Sequence, residues 1–211
     1  RSSKPELADV ADMVEQVLVV CEKDLKNHQI IVATDFGTRP KAEIVLSQIE
    51  QVILNLIINA RQAMTKGGTL SLAVRDNEQA GFVEIMVRDT GCGIPADNLP
   101  RIFDPFYSTK QGPDDAGQGG SGLGLSLCKE IIGRHQGRIR VESIVGRGTT
   151  FTITVPTDGA ARSGRFRMVG FRGSYTVSNS GLAAPNDKLI TFDTTDWITG
   201  GVADHHLNVG D

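Results

Sequence analysis

The sequence lacks the features that mark several common protein classes. It has no run of the ~18 consecutive apolar residues that a membrane-spanning helix needs, so no segment reads as a span and no membrane contact is expected. Its start carries no secretory pattern of a charged stretch, an apolar stretch and a small-residue cleavage site. Cysteine is sparse: Cys21, Cys92 and Cys128 are scattered, odd in number and without metal-ligand spacing. That usage points to free thiols in a reducing compartment rather than a disulfide framework. Charge of one sign is not in marked excess. The formal net charge of -3 gives no general pull toward nucleic acid or an anionic membrane, and no nucleic-acid partner is expected. No internal repeat is visible. A hydrophobic content of 39% is still enough for a core, and 211 residues allow one ordinary domain with an appendage. The opening at Arg1, without methionine, reads as a piece of something longer.

The most informative stretch is Arg88-Asp89-Thr90-Gly91-Cys92-Gly93-Ile94-Pro95. Before it, residues 82–87 alternate, with Val83, Ile85 and Val87 on one face, which is the pattern of a strand. An aspartate at the end of a buried strand is costly without a partner. Gly91 and Gly93 follow at once and let the backbone turn closely around whatever Asp89 holds. A carboxylate beside a small bend suits an amino-bearing ring such as adenine. The plainer alternative is a strand ending in a turn, with Asp89 as its cap.

Residues 1–8 read as a linker. Val10, Met13, Val14, Val17, Leu18 and Cys21 then recur at helical spacing. Residues 29–36 are a strand candidate, and a long helix is expected from about 42 to 64, stopped by Gly67 and Gly68. Residues 69–75 and 82–88 alternate as a hairpin, 95–120 form a loop region, and 122–135 a third helix. Residues 138–144 and 150–156 are the last strands. Strands with one apolar face, covered by helices on that face, predict an α+β chain folded as a two-layer α/β sandwich. Residues 158–211 lose Leu and Ile, gain Gly, Ser, Thr, Asn and Asp, and form an unassigned extension, with 189–192 a strand candidate.

Asn55 and Asn59 lie four apart on one face of the long, largely apolar helix. Asparagine is a poor helix former, so the pair asks for a reason. A side-chain carbonyl is a good ligand for Mg²⁺, and the alternative is amides bonded to a neighbouring loop or to solvent. Gly119-Gly120-Ser121-Gly122-Leu123-Gly124-Leu125 opens the third helix, where glycines and the helix N-terminus favour an anion and Leu123 and Leu125 are expected to pin the turn to the core. It is not a Walker-type loop, because no lysine follows the last glycine at the right spacing. In Phe103-Asp104-Pro105-Phe106-Tyr107-Ser108-Thr109-Lys110, two phenylalanines are expected to anchor a loop whose lysine meets a phosphate as a point charge. Residues 111–119 read as a mobile lid over a ligand or as a disordered loop.

Together these stretches resemble the catalytic ATP-binding domain of sensor histidine kinases, in the superfamily that also holds gyrase, mismatch-repair ATPases and heat-shock chaperones. The helix with Asn55 and Asn59 matches the N box, and residues 89–94 the first glycine box. Residues 103–110 match the F box, 120–125 the second glycine box and 146–150 the third. The resemblance covers about residues 5–156, which places the catalytic domain at 9–157 after a linker at 1–8. It implies a Bergerat-type fold, a mixed, mostly antiparallel sheet covered on one face by three helices. It implies ATP and Mg²⁺ as cofactors. Asp89 would accept from the adenine amino group, with Gly91, Gly93, Ile94 and Thr150 around that end. Asn59 would bind Mg²⁺ and Asn55 would sit near the phosphates. Lys110 would contact the β or γ phosphate, and Gly120, Gly122, Leu123, Gly124 and Leu125 would wrap them.

The activity implied is γ-phosphoryl transfer to a histidine of a dimerisation domain absent from this chain, with a response regulator receiver domain as an indirect partner. Such a domain works in the cytoplasm, alone or as part of a membrane-bound sensor. A hydrolase of the superfamily would carry glutamate where Asn55 stands. None of His28, His135, His205 or His206 sits in the family's acceptor-helix pattern, so the acceptor is expected upstream. Two other readings remain: a non-catalytic nucleotide-binding module, and a serine kinase of the anti-sigma-factor type on the same fold.

Overall fold

The computed structural model describes residues 4–77, 81–108, 122–157 and 190–193. Helix α1 (Val10–Asn27) opens at Asp9, whose carboxylate accepts from the Asp12 backbone N–H at 2.9 Å, a side-chain N-cap. Its positions Val10, Met13, Val14, Val17, Cys21 and Leu25 recur every three to four residues and are buried. Arg39 ties the following loop back to this helix through Asp12 and Glu15.

Strand β1 (Glu6–Asp9) pairs antiparallel with β3 (Lys41–Ile44) in a small two-stranded sheet. This corrects two expectations. The linker expected over 1–8 ends in a strand, and the long helix α2 (Leu46–Ala63) begins later than residue 42. The reason is local, because Ala42 and Ile44 are buried while Lys41 and Glu43 are exposed, a period of two rather than 3.6.

The main sheet runs β2-β4-β5-β7-β6-β8. Strand β2 (Ile30–Asp35) is parallel to β4 (Gly68–Asn77), and β4 to β5 (Phe82–Asp89), β5 to β7 (Gly148–Pro156) and β7 to β6 (Arg138–Ile144) are antiparallel. Leu70, Leu72 and Val74, Val83, Ile85 and Val87, Phe151, Ile153 and Val155, and Ile139 and Val141 form the buried face. Three helices cover that face, with α1 against β2, α2 against β5 and β7, and α3 (Gly124–Arg134) against β6. The mixed, mostly antiparallel sheet under three helices is the expected fold. Its sheet was expected to finish at Pro156. Instead β8 (Ile190–Asp193), from the unassigned extension, pairs antiparallel with β6, Ile190 opposite Ser143 and Asp193 opposite Arg140. Among the described residues no helix is long and apolar enough to cross a membrane.

Candidate functional site

Strand β5 carries Asp89 to its end on the inward face, where alternation makes it the next member of the Val83, Ile85, Val87 row. Only 4% of Asp89 is exposed. Oδ1 accepts from the Gly91 backbone N–H at 2.8 Å and from the Thr149 backbone N–H at 3.2 Å. Among the described residues nothing donates to Oδ2. Burial pushes the Asp89 pKa above its ordinary value, while the two backbone N–H groups and Arg88 pull it down. The carboxylate is thus half satisfied by its own loop and keeps one acceptor for an outside donor.

Thr149, not the expected Thr150, is the residue of β7 that meets Asp89. Side chains alternate along a strand, so a shift of one residue changes the face. Thr149 is buried on the row of Phe151 and Ile153, whereas Thr150 lies opposite Arg88 on the other face. Ser143, the last inward residue of β6, also belongs here. Its hydroxyl donates to the Gly148 carbonyl at 3.0 Å, lies 3.0 Å from Thr149 Oγ1, and accepts from the Ile94 backbone N–H at 2.8 Å. One side chain therefore joins the first glycine motif to the third. The signal was a serine at an inward position of an alternating strand, after Ile139 and Val141.

The glycines around Asp89 make room for the protein rather than for a ligand. A Cβ on Gly91 would lie 2.7 Å from Ala63 Cβ, at the end of α2. Gly93 has φ of 71°, and its Cβ would meet the Ile144 carbonyl oxygen at 2.3 Å. The Cys92 backbone N–H donates to the Ala63 carbonyl at 3.1 Å, so the end of β5 is tied to the end of α2.

Asn55 and Asn59 are half-buried on α2, and Ala63 is one turn beyond Asn59. Helix α3 lies antiparallel beside α2. At its N-terminal end a Cβ on Gly124 would be 3.9 Å from Asn55 Oδ1. One turn on, Cys128 Sγ is 3.8 Å from Asn55 Nδ2. At its C-terminal end, His135 accepts the Val45 backbone N–H at Nε2, 3.0 Å, so its ring proton is on Nδ1 and donates to the Ile131 carbonyl at 2.8 Å. The histidine thus caps both the end of α3 and the start of α2.

Elsewhere the match is partial. Phe103 is buried as expected, but Phe106 is 77% exposed and adopts φ of 64°, the left-handed region. Its N–H donates to the Gly122 carbonyl at 3.0 Å, and a Cβ on Gly122 would lie 2.5 Å from the Phe106 carbonyl carbon. The chain therefore leaves the F-box loop and enters α3 side by side. Leu125 packs against the core, but Leu123 is 41% exposed, so only Leu125 of the expected pair is packed on it. Lys110, Gly120 and the 111–119 stretch lie outside the described residues, as do His205 and His206.

These residues fit an adenine nucleotide. A buried carboxylate with one oxygen that no described residue donates to suits an exocyclic amino group, and the Asn55 amide beside an α-helix N-terminus suits phosphates. Comparison with known proteins agrees. The sensor kinase CckA of Brucella abortus is 38% identical over 169 residues, which is 72% of this chain but 17% of that protein's length. The chain thus spans about a sixth of that curated relative. The catalytic domain of histidine kinase ThkA superposes with a TM-score of 0.63 at 26% identity, covering 73% of this chain and 96% of that one. ThkA in complex with the response regulator protein TrrA gives 0.61 at 25%, covering 72% and 42%. With residues 45–159 matching the family model, more than half of its length, the chain belongs to the histidine kinase-, DNA gyrase B- and HSP90-like ATPases and is an ATP-binding domain of that family.

Proposed function

We propose that this domain binds Mg-ATP and delivers its γ-phosphoryl group to a histidine on a dimerisation domain outside residues 9–157, as one step of two-component signalling in the cytoplasm. The observation that carries the reading is Asp89, a buried carboxylate whose Oδ1 is held by two backbone N–H groups while Oδ2 is left for the base. The TrrA complex of ThkA supports a response regulator as the indirect partner.

Each residue then has a task. Asp89 selects adenine, with Gly91, Gly93 and Ile94 shaping the loop around it. Asn59 offers an amide oxygen to Mg²⁺, and Asn55 stands beside the phosphates. Among the described residues no cluster of three His, Cys, Asp or Glu is placed to hold a metal. Mg²⁺ accepts amide, phosphate and water oxygens, the kind of donor that Asn59 offers. When bound, Mg²⁺ neutralises phosphate charge, and Lys110 is assigned the same task. Gly120, Gly122, Gly124 and Leu125 frame the phosphates, and the chain's own contribution is positioning and electrostatics.

The acceptor is not one of the described histidines. His135 sits at the far end of the 11-residue α3 from Gly124, ~16 Å along the axis, with both ring nitrogens engaged. His28 is hydrogen-bonded to the Asp24 carbonyl and accepts from Arg61. The test is γ-labelled ATP given to the chain alone and with a separately supplied dimerisation domain. Acid-labile label on the added domain only, at a slow rate because tethering is lost, is the expected result. Label on His28, His135, His205 or His206 would make the chain a self-contained kinase. Label on a serine of a supplied protein would identify a serine kinase, and bound ATP with no transfer a nucleotide-binding module.

A further inference from the structure

The pairing of α2 with α3 contains a thiol that the scheme above does not use. Cys128 is fully buried between the helices. Its Sγ lies 3.9 Å from the Val52 carbonyl oxygen and 3.8 Å from Asn55 Nδ2. A thiol carries one proton to donate and a sulfur that can accept. The thiol donates to the Val52 carbonyl, 3.9 Å away. The sulfur is then left as an acceptor, and it takes an N–H of the Asn55 amide.

The same two contacts orient the amide. The two ends of an asparagine side chain have nearly the same shape, and their partners decide the orientation. A sulfur whose proton is committed to Val52 accepts the nitrogen end. The oxygen end then lies away from the sulfur, beside the first turn of α3, where Gly124 presents no side chain and a Cβ would be 3.9 Å from both Cγ and Oδ1. An oxygen facing the phosphate region attracts a cation or its hydration water and repels phosphate. A nitrogen there would do the reverse. The orientation therefore decides whether Asn55 serves the metal or the phosphates.

We propose that Cys128 is a positioning residue, whose thiol holds the Asn55 amide with its nitrogen inward and its oxygen toward the bound Mg²⁺ and its water shell. The inference rests on the Mg-ATP reading above. It assigns Asn55 to the same cation as Asn59 and makes the seating of α3 on α2 a condition for metal affinity.

The test has two arms. In the nucleotide-free protein, the side-chain NH₂ resonances of Asn55 are assigned by their loss in Asn55→Asp and then followed in Cys128→Ala and Cys128→Ser. They are expected to shift in the alanine variant and to return toward the wild-type positions in the serine variant, which restores a donor and an acceptor. In the second arm, ATP affinity is titrated against Mg²⁺. Cys128→Ala is expected to raise the Mg²⁺ concentration needed for half-maximal ATP binding roughly three- to tenfold, the range of one hydrogen bond. Affinity for metal-free nucleotide should be unchanged, and Cys128→Ser should recover much of the loss. A purely packing role would lower the melting temperature without moving this metal dependence. Unchanged Asn55 resonances in Cys128→Ala overturn the positioning role outright. Shifted resonances with an unchanged Mg²⁺ requirement overturn the assignment of Asn55 to the metal. A wild-type protein that binds no ATP sinks the functional reading instead, while the first arm still decides the orientation.

Discussion

Replacing Asp89 with asparagine isolates base recognition with little disturbance to the fold. An amide carbonyl in the place of Oδ1 still accepts from Gly91 and Thr149. The amide nitrogen then takes the place of Oδ2 and presents a donor to the donor edge of adenine. Losing a hydrogen bond to a charged acceptor costs about 1.5–3 kcal/mol. At about 1.4 kcal/mol per tenfold, Asp89→Asn is expected to weaken ATP roughly 10- to 150-fold. Guanine carries a carbonyl at the corresponding ring position, so the same variant should narrow the preference for ATP over GTP.

The pH dependence has a definite sign. Burial, the largest influence, raises the Asp89 pKa above its ordinary value. The native state therefore binds this proton more tightly than the unfolded chain does. As pH rises from the ordinary to the raised pKa, Asp89 removes stability, and the cost persists at neutral pH. Nucleotide-free Asp89→Asn should accordingly melt no lower than wild type. Binding runs the other way, because ATP needs the ionised carboxylate. Wild-type affinity should fall on acidification starting above the ordinary aspartate range, while the variant stays flat there. Calorimetry across pH reads both. Equal ATP affinity for the two proteins, or superimposable pH profiles, would refute the assignment of Asp89 to the base.

Asn59→Ala should leave adenine recognition intact but remove most of the Mg²⁺ dependence of ATP binding in calorimetry with and without the metal; an unchanged dependence would return Asn59 to a structural role. Ser143→Ala leaves the Ile94 N–H without its 2.8 Å acceptor, which should cost ~1–3 kcal/mol in denaturant unfolding; a neutral effect would mean that the two glycine motifs are not joined through this hydroxyl. A chain ending at Thr157 should keep its ATP affinity and its stabilisation by ATP, which acts on the native state by mass action. In that chain, backbone amides of 140–143 should exchange faster once β8 no longer pairs with β6. Loss of ATP binding would mean that the extension reaches the site.

Much of this protein was determined by residues that act on their neighbours in the chain. The alternation in β4, β5 and β7 and the helical spacing in α1 and α2 need only their own stretch to declare themselves, because period and burial are linked locally. Asp89 was legible for the same reason, since an acid closing an apolar row stands out. The two asparagines stood out as poor helix formers in an apolar helix. What depended on a partner from elsewhere was not readable. The strand pair β1 and β3 joins segments on either side of α1. The start of β7 lay earlier than expected, and its face parity put Thr149 rather than Thr150 beside Asp89. The glycines looked like space for a ligand, yet the atoms that fill that space are Ala63 and Ile144, brought in by other elements. Ser143, Cys128 and His135 each make their decisive contact across 5 to 90 positions of chain. A hydroxyl, a thiol or an imidazole carries the same donors and acceptors in any sequence, and only the packing of α3 on α2 and of β6 beside the first glycine motif chose which groups they meet.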